Sequence, residues 1–330
     1  MNEQTAKPIG DSQNQKLAAL RRHIQHTIIG QNRLIERLLI GLLADGHLLL
    51  EGLPGLAKTT AVRTLADGMA LSFRRVQFTP DLIPGDITGT DIFLSQEGAF
   101  KFIEGPIFNE VILADEINRA PPKVQSAMLE AMQERQVTVA GVTRKLPDVF
   151  QVIATQNPLE HEGTYPLPEA QLDRFLMKIE LGYPAQDDEL EILKRESARL
   201  HGNENTSGLA VLTPTEIIKA RDEVNHIYMD EMLQRYIVTL VNATRNPVTW
   251  IDDAKEWLTY GASPRATLAL ARCAKALAYL RQRDFVEPAD IIDLAYDVFN
   301  HRIGLSFAAR AEGITARQII QQLVDTVPVP

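Results

Sequence analysis

The stretch "EGLPGLAKTT", residues 51–60, places Gly52, Lys58 and Thr59 where the phosphate-loop pattern G-x-x-x-x-G-K-[ST] requires them, but its sixth position is Ala57. Such a loop works because backbone N–H groups on a tight turn, together with the start of a helix, point at phosphate oxygens. The lysine reaches the β- and γ-phosphates and the next hydroxyl meets Mg²⁺. Here Gly52 and Gly55 supply the turn, Pro54 stiffens it, and Leu53, Leu56 and Thr60 complete the cradle. Ala57 stands just before the helix, where a negative φ is expected and alanine is a good helix former, so its methyl group is tolerable if it points away from the phosphates. A short apolar run, "GHLLLEG", precedes the loop, and the helical pattern "KTTAVRTLADGMA" follows it. A glycine-rich turn that binds nothing is the bland alternative, and the rest of the chain decides between the two.

Downstream, "VILADE" ends a buried-strand pattern in Asp115 and Glu116. A strand that terminates in two carboxylates delivers them to the sheet edge at which open α/β folds bind ligands. Asp115 then holds Mg²⁺, directly or through water, and Glu116 polarises an attacking water. Strand and helix signals alternate around these motifs: "FRRVQF", "EVILADE" and "VFQVIATQN" as strands, "PPKVQSAMLEAMQER" as a helix begun by Pro121 and Pro122. That alternation predicts a parallel α/β sheet. Two segments interrupt it as β-hairpins, "TDIFLSQEGAFKFIEG" and "RQVTVAGVTRKLP". Residues 16–44 read as two helices broken at "TIIGQN", with Leu34, Leu38 and Leu42 on one face of the second. After "HGNENTSG" the chain reads as helical to its end, with Thr213-Pro214…Glu216 and Ser263-Pro264 as helix starts. The expected organisation is a flexible tail over 1–15, an α/β nucleotide-binding domain over 16–182 and an all-helical domain over 183–330.

The totals bound the function. A chain of 330 residues with 45% hydrophobic and 23% charged residues has ordinary globular composition. The polar start "MNEQTAKPIGDSQNQ" lacks a secretory pattern, and "LLIGLLADGHLLLEG" is interrupted by Asp45 and His47 well short of the roughly 18 apolar residues of a membrane span. Cys273 is the sole cysteine, which excludes an intrachain disulfide or a Cys-rich zinc site and points to the reducing cytoplasm. A net charge of -9 argues against nucleic acid as partner. The seven histidines complete no metal triad, and "HEGT" at His161 is not H-E-x-x-H.

In these residues the sequence resembles the AAA+ ATPases, and among them the MoxR family. "EGLPGLAKTT", alanine included, is similar to that family's form of the loop; "LADEINRAPPKVQSAMLEAMQERQVT", "IATQNPLEHEGTYPLPEAQLDRFLM", "GASPRA" and "HRI" continue the likeness over roughly residues 15–325. The resemblance implies a P-loop αβα core with the two hairpins as clade inserts near a central pore, then a helical lid with a long helix around 229–245. It implies Asn157 as sensor 1, whose amide can donate to phosphate and accept from water. Arg174 in "LDRF" matches the arginine finger offered to a neighbouring subunit, Arg265 in "SPRA" matches sensor 2, and Arg119 is a weaker candidate for an intersubunit contact. "TIIGQ", with Ile29, resembles the segment that holds adenine. The implied protein is an ATP- and Mg²⁺-dependent ATPase that forms a ring, a hexamer, and remodels partner proteins, alongside a protein with a von Willebrand factor A domain. The competing readings are a magnesium-chelatase-like motor subunit and a nucleic-acid-dependent motor.

Overall fold

A computed structural model describes residues 11–53, 55–96, 98–158, 163–200, 212–251, 254 and 257–330. Pro54, His161 with its "HEGT" neighbour Glu162, and "HGNENTSG" lie outside the described residues. Two helices open the chain, α1 (Asp11–Thr27) and α2 (Asn32–Leu43), so the segment expected as a tail is helical from Asp11 onward, with Gln13 buried.

The core is a five-stranded sheet of order β2-β5-β8-β1-β9, every pair parallel. Its strands are β1 (Leu48–Gly52), β2 (Phe73–Gln77), β5 (Val111–Asp115), β8 (Gln151–Gln156) and β9 (Met177–Leu181). Helix α3 (Lys58–Asp67) joins β1 to β2, and α5 (Pro122–Glu134) follows β5. Strands buried on both faces must be apolar at odd and even positions alike, and the central β5, β8 and β1 largely are, whereas the edge strands β2 and β9 mix apolar with charged residues. Leu48, Leu50, Val111, Leu113 and Ile153 face one apolar cluster with α1–α3, while Leu49, Ile112, Ala114, Val152 and Ala154 face a second against α5.

The two interruptions are antiparallel hairpins, β3 (Gly89–Leu94) with β4 (Ala99–Glu104) and β6 (Gln136–Val139) with β7 (Val142–Lys145). Short helices α4 (Pro84–Thr88) and α6 (Glu169–Leu172) precede β3 and β9. Beyond β9 come α7 (Gln186–Leu200), α8 (Pro214–Asn225), α9 (Glu231–Arg245), α10 (Pro264–Leu280), α11 (Pro288–Phe299), α12 (Phe307–Ala311) and α13 (Ala316–Thr326). Thr213 caps α8 through a capping box with Glu216, and the Ser263 hydroxyl accepts from the Arg265 N–H at the start of α10.

This part is not wholly helical. β10 (Leu258–Tyr260) pairs antiparallel with β11 (Gly304–Leu305), two strands too short to show a periodicity in the sequence. Gly304 permits the pairing, because a Cβ there would lie 2.1 Å from Tyr260 Cε1. Helices α8–α11 and α13 pack on the α1–α3 side of the sheet and share its apolar cluster, which fixes them against the core. A buried ion pair reinforces that seam: Arg37 of α2 bonds Asp297 of α11 at 2.8 Å, both almost wholly buried, and also reaches Asp293 at 2.7 Å.

Candidate functional site

Strands β5, β8 and β1 run side by side in parallel, so the segments that follow them open at one edge of the sheet. A cavity of about 530 Å³ lies there, lined by Gly55, Leu56, Ala57, Lys58, Thr59 and Thr60 after β1, Asp115 and Glu116 at the end of β5 and Asn157 after β8. Nine of the expected residues thus meet in one place, counted from that lining.

The loop owes its path to a few local constraints. Gly52 lies against β9, where a Cβ would come within 2.9 Å of the Leu181 side chain. Gly55 has φ +86°, a conformation other residues avoid. Ala57 corrects the sequence expectation: its φ of 55° and ψ of 20° are left-handed, not helical, so the chain turns once more before α3 begins. That turn costs an alanine roughly 1–2 kcal/mol relative to a right-handed residue. Lys58 Nζ donates to the Gly52 carbonyl at 2.6 Å, which holds the ammonium inside the loop. Thr59 and Thr60 follow in the first turn of α3, at the positive end of its dipole.

The acids are held with equal definition. Thr155 of β8 donates from its hydroxyl to Asp115 Oδ1 at 2.6 Å and accepts the Glu116 N–H at 2.9 Å, so one side chain positions both. Glu116 itself adopts φ 57°, a strained backbone of the kind that clusters at functional sites. Its Oε2 accepts from Arg119 at 3.0 Å and from Gln77 at 2.8 Å. Arg119 is therefore engaged with Glu116 of its own chain. Arg75 and Gln77 of β2 also line the cavity, and the sequence reading missed both. The alternation in "FRRVQF" does put them on one face, but that β2 lies beside β5 is a matter of strand order that no local pattern encodes.

The donor set suits a polyphosphate with a hard cation: an ammonium, two hydroxyls at a helix start, and carboxylate oxygen. Among the described residues no group of three or more His, Cys, Asp or Glu could cage a metal unaided. Mg²⁺ is compatible with that, since it completes its shell with phosphate oxygens and water.

The remaining expected residues lie elsewhere. Ile29 is half-buried in the turn between α1 and α2, next to the linker after β9, where Gln31 donates to the Gly182 carbonyl at 3.3 Å. Leu53 sits between Gly52 and the cavity lining. Arg174 and Arg265 share a different cavity, of about 330 Å³, with Arg135, Arg272 and Arg302, and none of its lining residues belongs to the phosphate cavity. Arg174 donates to the Leu129 carbonyl at 2.8 Å, while its Nε is buried without a hydrogen-bond partner among the described residues. Neighbouring Asp173 accepts from Arg302 at 2.8 Å and from the Ser263 hydroxyl at 2.9 Å, and Arg265 stands 3.5 Å away. Arg302 also bonds the carbonyls of Phe175 and Leu176, so the "HRI" segment clasps "LDRF". Burial pushes His47, on the wall of this cavity, down to about 4; its Nδ1 accepts the Val152 N–H, which leaves Nε2 to donate to the Met132 carbonyl.

Fold and site together define a nucleotide-binding α/β domain followed by a lid. Residues 47–177 match the model of the "ATPase family associated with various cellular activities (AAA)", and residues 252–323 match that of the AAA lid domain. The chain is 46% identical over 308 residues to chaperone MoxR1 of Mycobacterium tuberculosis, covering 93% of this chain and 80% of that protein. It is 44% identical to YeaC of Bacillus subtilis, covering 93% of each, and 32% identical to protein MoxR of Paracoccus denitrificans, covering 92% of this chain and 93% of that one. A solved structure of a candidate ATPase from Cytophaga hutchinsonii superposes with a TM-score of 0.90 at 47% identity, covering 97% of this chain and 96% of that one. The chain belongs to the MoxR family of AAA+ ATPases.

Proposed function

We propose that the protein binds ATP with Mg²⁺ in the phosphate cavity and hydrolyses it as a ring, a hexamer, in which each site is completed by the next copy. The observation that carries this is the separation of cations: Lys58 lines one cavity, whereas Arg174 and Arg265 line another with no residue in common. Phosphoryl transfer asks the protein chiefly for position and charge neutralisation. Lys58 meets the phosphates, Glu116 polarises the attacking water, and Asn157 orients it. Thr59 and Asp115 hold Mg²⁺, which supplies charge neutralisation when bound. Arg174 and Arg265 reach the nucleotide of the neighbouring copy.

The product of the cycle is movement of the hairpins, in service of remodelling a partner protein. Phe93 and Phe100 of the β3–β4 hairpin pack on each other with ring centroids 5.3 Å apart yet remain 55% and 73% exposed, surface that suits contact with polypeptide. A relative named as a chaperone supports the same reading. A protein with a von Willebrand factor A domain is the expected companion, in a reducing, cytoplasmic setting consistent with the lone, buried Cys273.

The test is subunit mixing. Arg174→Ala and Lys58→Ala chains are each expected to hydrolyse ATP poorly alone, and a mixture to regain part of the phosphate release, because some interfaces then pair an intact loop with an intact arginine. A mixture no more active than its components would contradict the shared site.

A further inference from the structure

Arg75 and Gln77 of β2 stand inside the phosphate cavity with no part in the reading above. Arg75 donates from both Nε and Nη2 to one oxygen, Asp115 Oδ2, at 2.9 and 2.7 Å. Its Nη2 also donates to Gln77 Oε1 at 2.8 Å, and Gln77 Nε2 donates in turn to Glu116 Oε2 at 2.8 Å. The two acids are thus bridged by two side chains of one strand: Asp115 to Arg75, Arg75 to Gln77, Gln77 to Glu116.

A carboxylate oxygen offers about two lone-pair directions, and Arg75 covers those of Oδ2 with its two N–H groups. The other oxygen, Oδ1, takes the Thr155 hydroxyl at 2.6 Å. A divalent cation held by Asp115, or a water bound to that cation, needs acceptor capacity on the same carboxylate. The Thr155 contact is buried and also supports the Glu116 backbone, whereas the Arg75 side chain is 50% exposed and can turn into solvent without unpacking the core.

We propose that Arg75 competes with the divalent metal for Asp115 Oδ2 and so sets how tightly the nucleotide site takes its metal. The inference rests on the assignment of the loop and Asp115 as the nucleotide and metal site. Arg75 is a positioning residue in this role, acting through Asp115. Its departure also removes the donor that fixes the Gln77 amide, so metal occupancy is felt at Glu116.

Manganese(II) serves as the probe, its free fraction read by electron paramagnetic resonance in the presence of ADP, on the full chain and on its Arg75→Ala and Arg75→Lys variants. Arg75→Ala is expected to bind Mn²⁺ about two- to fivefold more tightly than the parent, the range a half-exposed ion pair can contribute. Arg75→Lys keeps a cation but not the planar fork and is expected to fall between the two. ADP affinity in EDTA, by calorimetry, should be the same in all three. Mn²⁺ binding that is unchanged or weaker in Arg75→Ala would overturn the proposal, as would a fall in its metal-free ADP affinity, which would mark Arg75 as a phosphate contact. If the parent binds no ADP at all, the phosphate-loop assignment fails and this inference with it; ADP binding with an unmoved Mn²⁺ curve sinks this inference alone.

Discussion

Lys58 illustrates how a single side chain is prepared by its loop. Its ammonium is held at 2.6 Å from the Gly52 carbonyl, so little side-chain ordering is left to be done when a phosphate arrives. Replacing it with alanine removes a charge-assisted contact of about 1.5–3 kcal/mol, so calorimetry on Lys58→Ala should show nucleotide binding roughly ten- to hundredfold weaker. Equal affinity in the two proteins would mean that the phosphates sit elsewhere. His47 is a residue whose chemistry is set chiefly by burial. Its folded pKa, about 4, lies below the ordinary 6.5, so the unfolded chain binds more protons between those values. Stability is therefore complete above pH 6.5 and is lost as pH falls toward 4, by roughly 3 kcal/mol for this residue. His301, also buried and shifted in the same direction, adds to the slope. Urea midpoints measured from pH 7 to pH 4 should fall more steeply for the parent than for His47→Gln.

At the scale of elements, the loop, the sheet strands β1, β2, β5 and β8 and both hairpins were legible because each obeys a local rule: a turn pattern, an apolar or alternating run, an alternating pair about a turn. The fifth sheet strand, β9, with its charged Lys178 and Glu180, went unread. What sequence could not yield was anything decided by neighbours. Ala57 is the instructive case. Propensity places alanine in a right-handed helix, yet the loop enters α3 through a left-handed residue. Ala57→Gly is accordingly expected to stabilise the fold by about 0.5–1 kcal/mol, the relief of φ strain outweighing glycine's greater freedom when unfolded. A lower midpoint in thermal or urea unfolding would show that the Cβ is packed favourably despite its φ. Arg75 and Gln77 went unread for a related reason, as did the β10–β11 pair: their meaning lies in which strand stands next to which.

For the molecule as a whole, the seam between core and lid is the feature that composition conceals. Arg37 is buried, and burial by itself would lower its pKa, but Asp297 and Asp293 more than offset this and hold it above the ordinary value. Removing one member of such a pair leaves a charge without its counter-ion inside the protein. Asp297→Ala should cost about 3 kcal/mol, read as a lower urea midpoint; a loss below about 0.5 kcal/mol would mean that Asp293 and Glu36, the latter also bonded by Arg37 at 2.7 Å, suffice. A second seam has a mechanical outcome. Asp173 is gripped by Arg302 and Ser263 of the lid, and Arg174 is the next residue along the chain. The two halves are tied at that point: the helical half clasps the backbone that presents Arg174, while the guanidinium itself is anchored on the Leu129 carbonyl of the core, so this one side chain straddles the joint between them.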